Sequence, residues 1–335
     1  MAFDGITIAN IVKELNDTIL NGRIAKIAQP ENDELLLTIK PAKGQVRLVI
    51  SASASLPLIY LSRDNKPSPM TAPNFCMLLR KHIANGRIVG ISQPSLERII
   101  RFEIEHLDEL GDLCRKSLIV EIMGKHSNII FCNEKGMIID SIKHVSAQMS
   151  SVREVLPGRE YFIPDTMKKE NPLGIPEENF TQELLSKPMP VGKAIYNSFT
   201  GISPVVAEEI CYLAGIDSSS VPASEMSGDL LAHLYRQFTY FMEQVTESKF
   251  SPAIYYDGNE PKEFSSLLLT HFSNYQVKSY DSISEVIRTY YSSRDLITRI
   301  RQKSSDLRRV VQTALERNRK KYDLQLKQLR DTENR

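Results

Sequence analysis

Three short stretches of this chain carry side chains whose types and spacing could do chemistry. Glu97-Arg98 sets a carboxylate beside a guanidinium just past a Gln-Pro dipeptide. A guanidinium fork matches a phosphate or a guanine edge, and a carboxylate accepts from a base amino group. The same pair also fits an exposed ion pair of little energetic weight. The second stretch, Glu121-Ile122-Met123-Gly124-Lys125-His126-Ser127-Asn128, ends one strand-like run and precedes another. Gly124 permits a tight bend, and Lys125, His126, Ser127 and Asn128 put polar groups on one loop, which by itself is a polar hairpin. The third is the turn Gly201-Ile202-Ser203 between two helical patterns. Such a turn can aim backbone N–H groups at a phosphate oxygen, holding a nucleic-acid backbone without reading its sequence. It equally suits a plain helical hairpin.

Catalytic patterns are missing. There is no G-x-S-x-G, no H-E-x-x-H and no nucleotide-binding glycine loop, and Gly124-Lys125 lacks the earlier glycine of a P-loop. The six histidines show no metal-ligand spacing, and Cys76, Cys114, Cys132 and Cys211 form no C-x-x-C pair. Buried free thiols in a reducing compartment are expected, with no metal and no cofactor.

The elements that must position these residues are announced by a repeat. Residues 21–30, Asn-Gly-Arg-Ile-Ala-Lys-Ile-Ala-Gln-Pro, match residues 85–94, Asn-Gly-Arg-Ile-Val-Gly-Ile-Ser-Gln-Pro, at seven of ten positions. Each copy follows a helical period, Ile8, Ile11, Val12, Leu15 and Ile19 in the first, and Phe75, Leu78, Leu79 and Ile83 in the second. In each, Asn-Gly stops the helix with a residue free to adopt positive φ, and Arg-Ile opens a strand. Strand-like runs follow: 35–39, 46–50 and 58–61 after the first copy, and 99–104, 117–123, 129–132 and 137–142 after the second, with Cys132–Gly136 as a hairpin turn. The pattern predicts two related helix-plus-antiparallel-sheet modules whose sheets pack together as one α+β domain.

A Pro- and Lys-rich linker is expected over 165–190, then helices over 194–199, 204–214 and 230–245, then a strand–turn–strand and a last long helix with a heptad-like seam. Residues 288–335 hold 14 Lys/Arg against 6 Asp/Glu, a local net of +8 on a chain of net +1, so the remainder carries −7. A basic arm on a mildly acidic body points to a polyanionic partner, or to a solvated helix face. No basic-apolar leader and no apolar run of about 18 residues is present. The protein is expected in the cytoplasm, off the membrane, and to continue beyond its last helix.

Taken in order, Phe3-Asp4-Gly5, Glu97-Arg98, Glu121–Asn128, Leu156-Pro157-Gly158 with Tyr161 and Pro164, and Phe199–Pro204 followed by Ala207-Glu208-Glu209-Ile210 resemble the landmarks of the NFACT family, also called fibronectin-binding protein A-like. Glu-Ile-Met-Gly-x-His-Ser-Asn is the most specific of them. The resemblance implies an NFACT-N domain over 1–177, similar to the N-terminal domain of formamidopyrimidine-DNA glycosylases. It further implies a helix-hairpin-helix domain over 178–248, a small α/β segment over 249–292 and the truncated start of a coiled-coil arm over 293–335. Glycosylase chemistry is not expected, because Ala2 stands where those enzymes carry an N-terminal proline amine.

Members of the RqcH type bind large ribosomal subunits obstructed by a peptidyl-tRNA. They recruit alanyl-tRNA, and alanine is added to the stalled chain without mRNA while the ribosome supplies peptidyl transfer. The resemblance thus implies a non-enzymatic factor with tRNA and the large subunit as partners, and a small RNA-binding quality control cofactor beside them. Two departures concern tRNA preference: Glu97 stands where the family usually has Asp, and Lys125 where many members have Arg. The expected tRNA site gathers Asp4, Glu97, Arg98, Glu121, Gly124, Lys125, His126, Ser127 and Asn128 on one face toward the anticodon arm, with Gly201, Ile202 and Ser203 as the phosphate-binding turn. A surface fibronectin-binding adhesin and a nucleic-acid-binding scaffold without tailing activity are the alternatives.

Overall fold

The computed structural model describes residues 3–165 and 168–334. Helix α1 (Gly5–Ile19) starts at Asp4, whose carboxylate accepts from the Thr7 N–H at 2.9 Å, satisfying one of the donors a helix start leaves unpaired. Strands β1 (Arg23–Glu31), β2 (Glu34–Lys40), β3 (Val46–Ser51) and β4 (Leu58–Ser62) follow as a meander. The second module repeats the order: α2 (Asn74–Ile83), β5 (Arg87–Ser92), β6 (Ile99–Leu107), β7 (Leu113–Glu121), β8 (Asn128–Cys132) and β9 (Ile138–Ser141). The helical periods fall where the sequence placed them, burying Ile8, Ile11, Leu15 and Ile19 on α1 and Phe75, Leu79 and Ile83 on α2. Each such side chain taken fully out of water contributes about 1.5–3 kcal/mol.

The two sheets do not pack as separate layers. They join edge to edge into one nine-stranded antiparallel sheet, β4-β3-β2-β1-β5-β6-β7-β8-β9, and the joint is the repeat itself. Arg23 pairs with Arg87 across the joint. The Asn21 N–H donates to the Ile88 carbonyl at 2.7 Å, and the Asn85 N–H donates to the Ile24 carbonyl at 2.8 Å. Ile24 and Ile88 likewise donate to the Gly86 and Gly22 carbonyls. The repeat is thus a local two-fold, each copy ending the other's unpaired edge. Positive φ falls on Asn21 and Asn85, both +64°, rather than on the glycines. Gly22 and Gly86 are needed for space: a Cβ on Gly22 would lie 2.7 Å from Ile39 Cγ2, and one on Gly86 2.9 Å from Ile104 Cγ2.

The expected linker holds a helix. Helix α3 (Glu177–Leu185) joins α4 (Val191–Ser198), α5 (Pro204–Leu213) and α6 (Gly228–Thr246) around a second core, in which the Phe180, Phe199 and Phe238 rings lie 4.9–5.5 Å apart. Leu173 and Ile175 already belong to that core, so the boundary falls before 178. Strands β10 (Ala253–Asp257), β11 (Glu260–Ser265) and the short β12 (Gln276–Ser279), which the sequence did not announce, form a three-stranded sheet. This segment is no separate body, since Ile254 and Phe264 enter the first core. Nor does a boundary fall at 293, because α7 (Ile283–Glu333) is one continuous helix. Its root buries Ile283, Val286, Ile287 and Tyr290, and nearly all of it beyond is exposed, with Leu307, Val311, Leu315, Tyr322 and Leu329 unpartnered. No helix among the described residues is long and apolar enough to cross a membrane.

Candidate nucleic-acid interface

A cleft of about 340 Å³ opens where the large sheet meets the helical domain, near the lower end of the roughly 300–1,000 Å³ usual for ligand sites. Its floor comes from the start of α1 (Phe3, Asp4) and from the β5–β6 connection (Glu97, Arg98). One wall is the Gly201–Pro204 turn, and the other is formed by Pro164, Asp165, Lys168 and Lys169. The joint beneath it is made by close backbone approach. The Gly5 N–H donates to the Gly201 carbonyl at 3.0 Å, and a Cβ on either glycine would lie 2.0 Å from the Leu96 carbonyl oxygen.

That contact changes the role of the Gly201 turn. Its carbonyl and the Ser203 hydroxyl turn inward, Ser203 donating to Asp4 Oδ2 at 2.7 Å. Ile202 and Ser203 are both buried. The turn docks the helical domain onto α1 while its outer side lines the cleft. Asp4 is likewise structural: it caps α1 through one oxygen and holds Ser203 through the other. Burial pushes its carboxyl above the ordinary value, and the Thr7 and Ser203 hydrogen bonds oppose that rise.

Glu97 and Arg98 do come together with this turn. Glu97 is half-buried, and burial raises its carboxyl against the pull of the neighbouring Arg98 and Lys169 cations. Burial lowers the Arg98 guanidinium, and Asp4 and Glu97 oppose that. The Lys169 ammonium donates to the Tyr196 carbonyl at 2.9 Å; burial and then Arg98 push it down. Arg98, Lys168 and Lys169 thus face Glu97 and Asp165 across a small space. Such a mixed set suits a ligand that offers both anionic oxygens and N–H donors, as a nucleotide does. Lys168, Lys169, Asp165 and Tyr196 were missed as individual residues; the Lys-rich composition of 165–190 was the available signal.

The Glu121–Asn128 stretch divides. Glu121 does not reach the cleft. It is fully buried, with the Arg153 guanidinium paired to it and the Tyr161 hydroxyl donating to it at 2.8 Å. Tyr161 is held far above its ordinary value by burial and by that carboxylate. Ser127 and Asn128 are also internal. Ser127 accepts from the Met123 N–H at 2.8 Å and donates to the Gly124 carbonyl at 2.7 Å. Asn128 ties the strand start to Lys143 with bonds of 3.0 and 3.1 Å. Gly124, Lys125 and His126 form a 3-10 turn, and only the Lys125 and His126 side chains are exposed, next to Met123 at the cleft edge. Among the described residues no cluster of His, Cys, Asp or Glu is placed to hold a metal ion. Cys76, Cys132 and Cys211 are buried thiols, whereas Cys114 is half-buried.

The family model of the NFACT N-terminal and middle domains matches residues 4–335. The chain belongs to the NFACT family. Among its relatives, the Rqc2 homolog RqcH of Bacillus subtilis is 34% identical over 336 residues, covering 100% of this chain and 56% of the relative. The Rqc2 homolog RqcH of Streptococcus pneumoniae D39 is 31% identical over 340 residues, covering 100% and 56%. This NFACT chain therefore spans little more than half the length of those relatives. Among solved structures, a fibrinogen binding protein from Staphylococcus aureus superposes with a TM-score of 0.71 at 28% identity, covering 87% of this chain and 99% of that one. The N-terminal part of the fibronectin/fibrinogen-binding protein from Streptococcus suis gives 0.70 at 30% identity, with the same coverage.

Proposed function

We propose that this chain is the tRNA-facing part of a ribosome quality control factor. In this reading the full protein binds obstructed large ribosomal subunits and recruits alanyl-tRNA for mRNA-independent alanine tailing. It is not itself an enzyme, since peptidyl transfer belongs to the ribosome. A small RNA-binding quality control cofactor would act beside it. The observation that carries the reading is the meeting of Glu97 and Arg98 with Lys168, Lys169 and the Gly201 turn in one cleft, in a chain aligned end to end with proteins named RqcH. Arg98 and the lysines engage phosphate or a base edge, and Glu97 accepts from a base amino group. Asp4, Glu121, Ser127 and Asn128 build the scaffold, and Lys125 and His126 extend the rim.

The test uses the full-length protein with Arg98→Ala and, separately, Glu97→Ala. The RNAs that co-purify with each are sequenced, and alanine tails are measured on stalled chains. Loss of a good two-pronged base contact costs about 1–3 kcal/mol and relaxes tRNA choice, whereas loss of a phosphate contact weakens all tRNAs alike. Unchanged tRNA recovery and tailing in both variants would reduce the pair to a surface ion pair. The names of the two structural relatives favour a second reading, an extracellular matrix adhesin. Fractionation of native cells separates them, because an adhesin is found mainly at the surface.

A further inference from the structure

The Arg of each repeat copy plays no part in the cleft. Arg23 and Arg87 meet at the joint between β1 and β5, and cross-strand partners share a face of the sheet. Register extends this row in both directions: Lys40 pairs with Arg23, Glu105 with Arg87, and Arg115 with Glu105. One step along the strands, a second row on the same face runs Lys26, Thr38, Arg47 and Ser62. Neighbouring strands lie about 4.8 Å apart, so Lys40, Arg23 and Arg87 place three cations across about 10 Å.

Acids do not neutralise this group evenly. Glu105 is held by Arg115 at 2.7 Å and lies 3.7 Å from Arg87. Arg101 is taken by Glu103 at 2.8 Å. In the first module the cations have no such partners. Arg23 donates to the Asn85 side chain at 2.8 Å and Arg47 to the Arg63 carbonyl at 2.6 Å, neither of which removes charge. The Lys26 and Lys40 side chains are exposed and make no hydrogen bond or ion pair among the described residues. The face thus has unbalanced positive charge within a chain of net +1.

Thr38 and Ser62, which sit between the cations in the second row, are buried, so the exposed groups of this patch are its charged side chains rather than apolar anchors. A protein partner of useful affinity needs an apolar centre, and a membrane needs groups that insert. Spaced exposed cations instead fit the phosphodiester backbone of RNA, bound without reading bases. We propose that the β2–β1–β5 face, through Lys26, Lys40, Arg23 and Arg87, is a second RNA-binding surface. It grips backbone phosphates and is separate from the Glu97–Arg98 cleft. Arg101 and Glu103, an already satisfied pair, lie between the two along β6. The surface holds RNA whether or not the cleft selects a tRNA.

The probe is a labelled 20-base-pair RNA duplex, which has no unpaired base to offer the cleft. Its binding to the full chain is titrated over a series of salt concentrations. The triple variant Lys26→Gln, Lys40→Gln, Arg87→Gln is compared with a charge-matched control, Lys135→Gln, Lys193→Gln, Arg236→Gln, taken from exposed positions elsewhere. The sheet variant is expected to bind at least about tenfold more weakly, with the slope of log affinity against log salt shallower by about two to three. The control and Arg98→Ala should stay within about twofold of the parent. Equal losses in the sheet variant and the control would make the effect one of net charge and overturn the proposal, as would an unchanged slope or no duplex binding by the parent. Loss of tRNA selection in Arg98→Ala with duplex binding intact supports both surfaces independently.

Discussion

The two modules start from nearly the same ten residues and end differently. In the first, Gln29-Pro30 lies within β1, and a two-residue turn leads at once to β2. In the second, β5 stops at Ser92, and Gln93-Pro94 opens a loop running to β6 at Ile99. Equivalent pairs measure the change: Ile24 faces Ile39, 15 residues on, while Ile88 faces Ile104, 16 residues on. One added residue, with Ser95 at a φ of +52°, turns a closed hairpin into a loop that delivers Glu97 and Arg98 to the cleft. Gln93 braces that loop by donating to the Gly5 and Glu97 carbonyls at 2.9 and 2.8 Å. Its counterpart Gln29 only reaches the Asn32 carbonyl of its own turn, at 3.1 Å. A site arises here from a small length change on a duplicated frame, with one copy left as scaffold.

The comparison breaks most visibly at the far ends of β3 and β7. Ser51 pairs with Glu34 in the first module, and Glu121 pairs with Ile99 in the second. Ser51 is half-exposed, whereas Glu121 is buried against Arg153 and Tyr161. Glu121→Ala is expected to cost about 3–5 kcal/mol, because it strands the Arg153 charge. Ser51→Ala should stay within about 0.5 kcal/mol. Chemical denaturation of both variants checks this. A Glu121→Ala protein as stable as its parent, with tRNA recovery lost, would return Glu121 to the interface.

The next effect concerns the joint beneath the cleft. Gly201→Ala meets a backbone carbonyl 2.0 Å away at a φ of +78°, and neither can be relieved by a side-chain rotation. A cost above about 2 kcal/mol is expected, with faster hydrogen exchange where α1 meets the helical domain. Gly22→Ala in the scaffold copy meets the Ile39 Cγ2 methyl at 2.7 Å and the Ile19 carbonyl at 2.8 Å but at no positive φ, so a smaller cost of about 1–2 kcal/mol is expected there. Equal losses would show that the Gly201 contact is not what holds the two domains.

These contrasts mark what was legible in sequence. The helices, most strands and the repeat were legible because each depends on a local period. That the repeat would join two sheets into one was not, since edge pairing is a long-range choice that ten residues do not specify. Glu97, Arg98 and the Gly201 turn could be proposed as a group only through family resemblance. Glu121 was misplaced because a polar residue at a strand end looks alike whether it faces solvent or a buried arginine some thirty residues onward. Lys168 and Lys169 were hidden in composition, as a linker that in fact forms a wall.

A third contrast sets the Asp4 joint against the contact between α5 and the small sheet. Glu209 is buried at that contact and accepts from the Thr270 and His271 N–H groups at 2.8 and 3.0 Å, the Thr270 hydroxyl at 2.6 Å and the His271 ring at 2.6 Å. Burial raises its carboxyl, but the His271 and Thr270 bonds together outweigh that and leave it below the ordinary 4.5. Its stabilising share is therefore complete above about pH 4.5 and is lost as pH falls through the depressed folded value. Asp4 has the opposite sign: raised above 3.8 by burial, it favours the folded state more as pH falls through its folded value. Thermal denaturation from pH 7 to pH 3 should show an acid loss that Glu209→Gln diminishes and Asp4→Asn deepens. The same pH profile in both variants would contradict the assignment.

The smallest effect tests the local two-fold itself. Asn21 and Asn85 share a φ of +64°, and their N–H groups make equivalent bonds across the joint. The asymmetry is in the side chains, because Asn85 Oδ1 accepts from Arg23 at 2.8 Å while Arg87 turns to Glu105 instead. Glycine tolerates that φ, so Asn21→Gly removes little beyond a side chain, and a change of about 0.5 kcal/mol or less is expected. Asn85→Gly loses in addition a hydrogen bond to a charged donor at an exposed position. The difference between the two variants should be about 0.5–1 kcal/mol. Adding Arg23→Gln to each isolates that bond, since the difference should vanish once the guanidinium is gone. If it persists, the two halves of the joint differ in backbone strain rather than in one side-chain contact, and the repeat is a two-fold in sequence more than in energy.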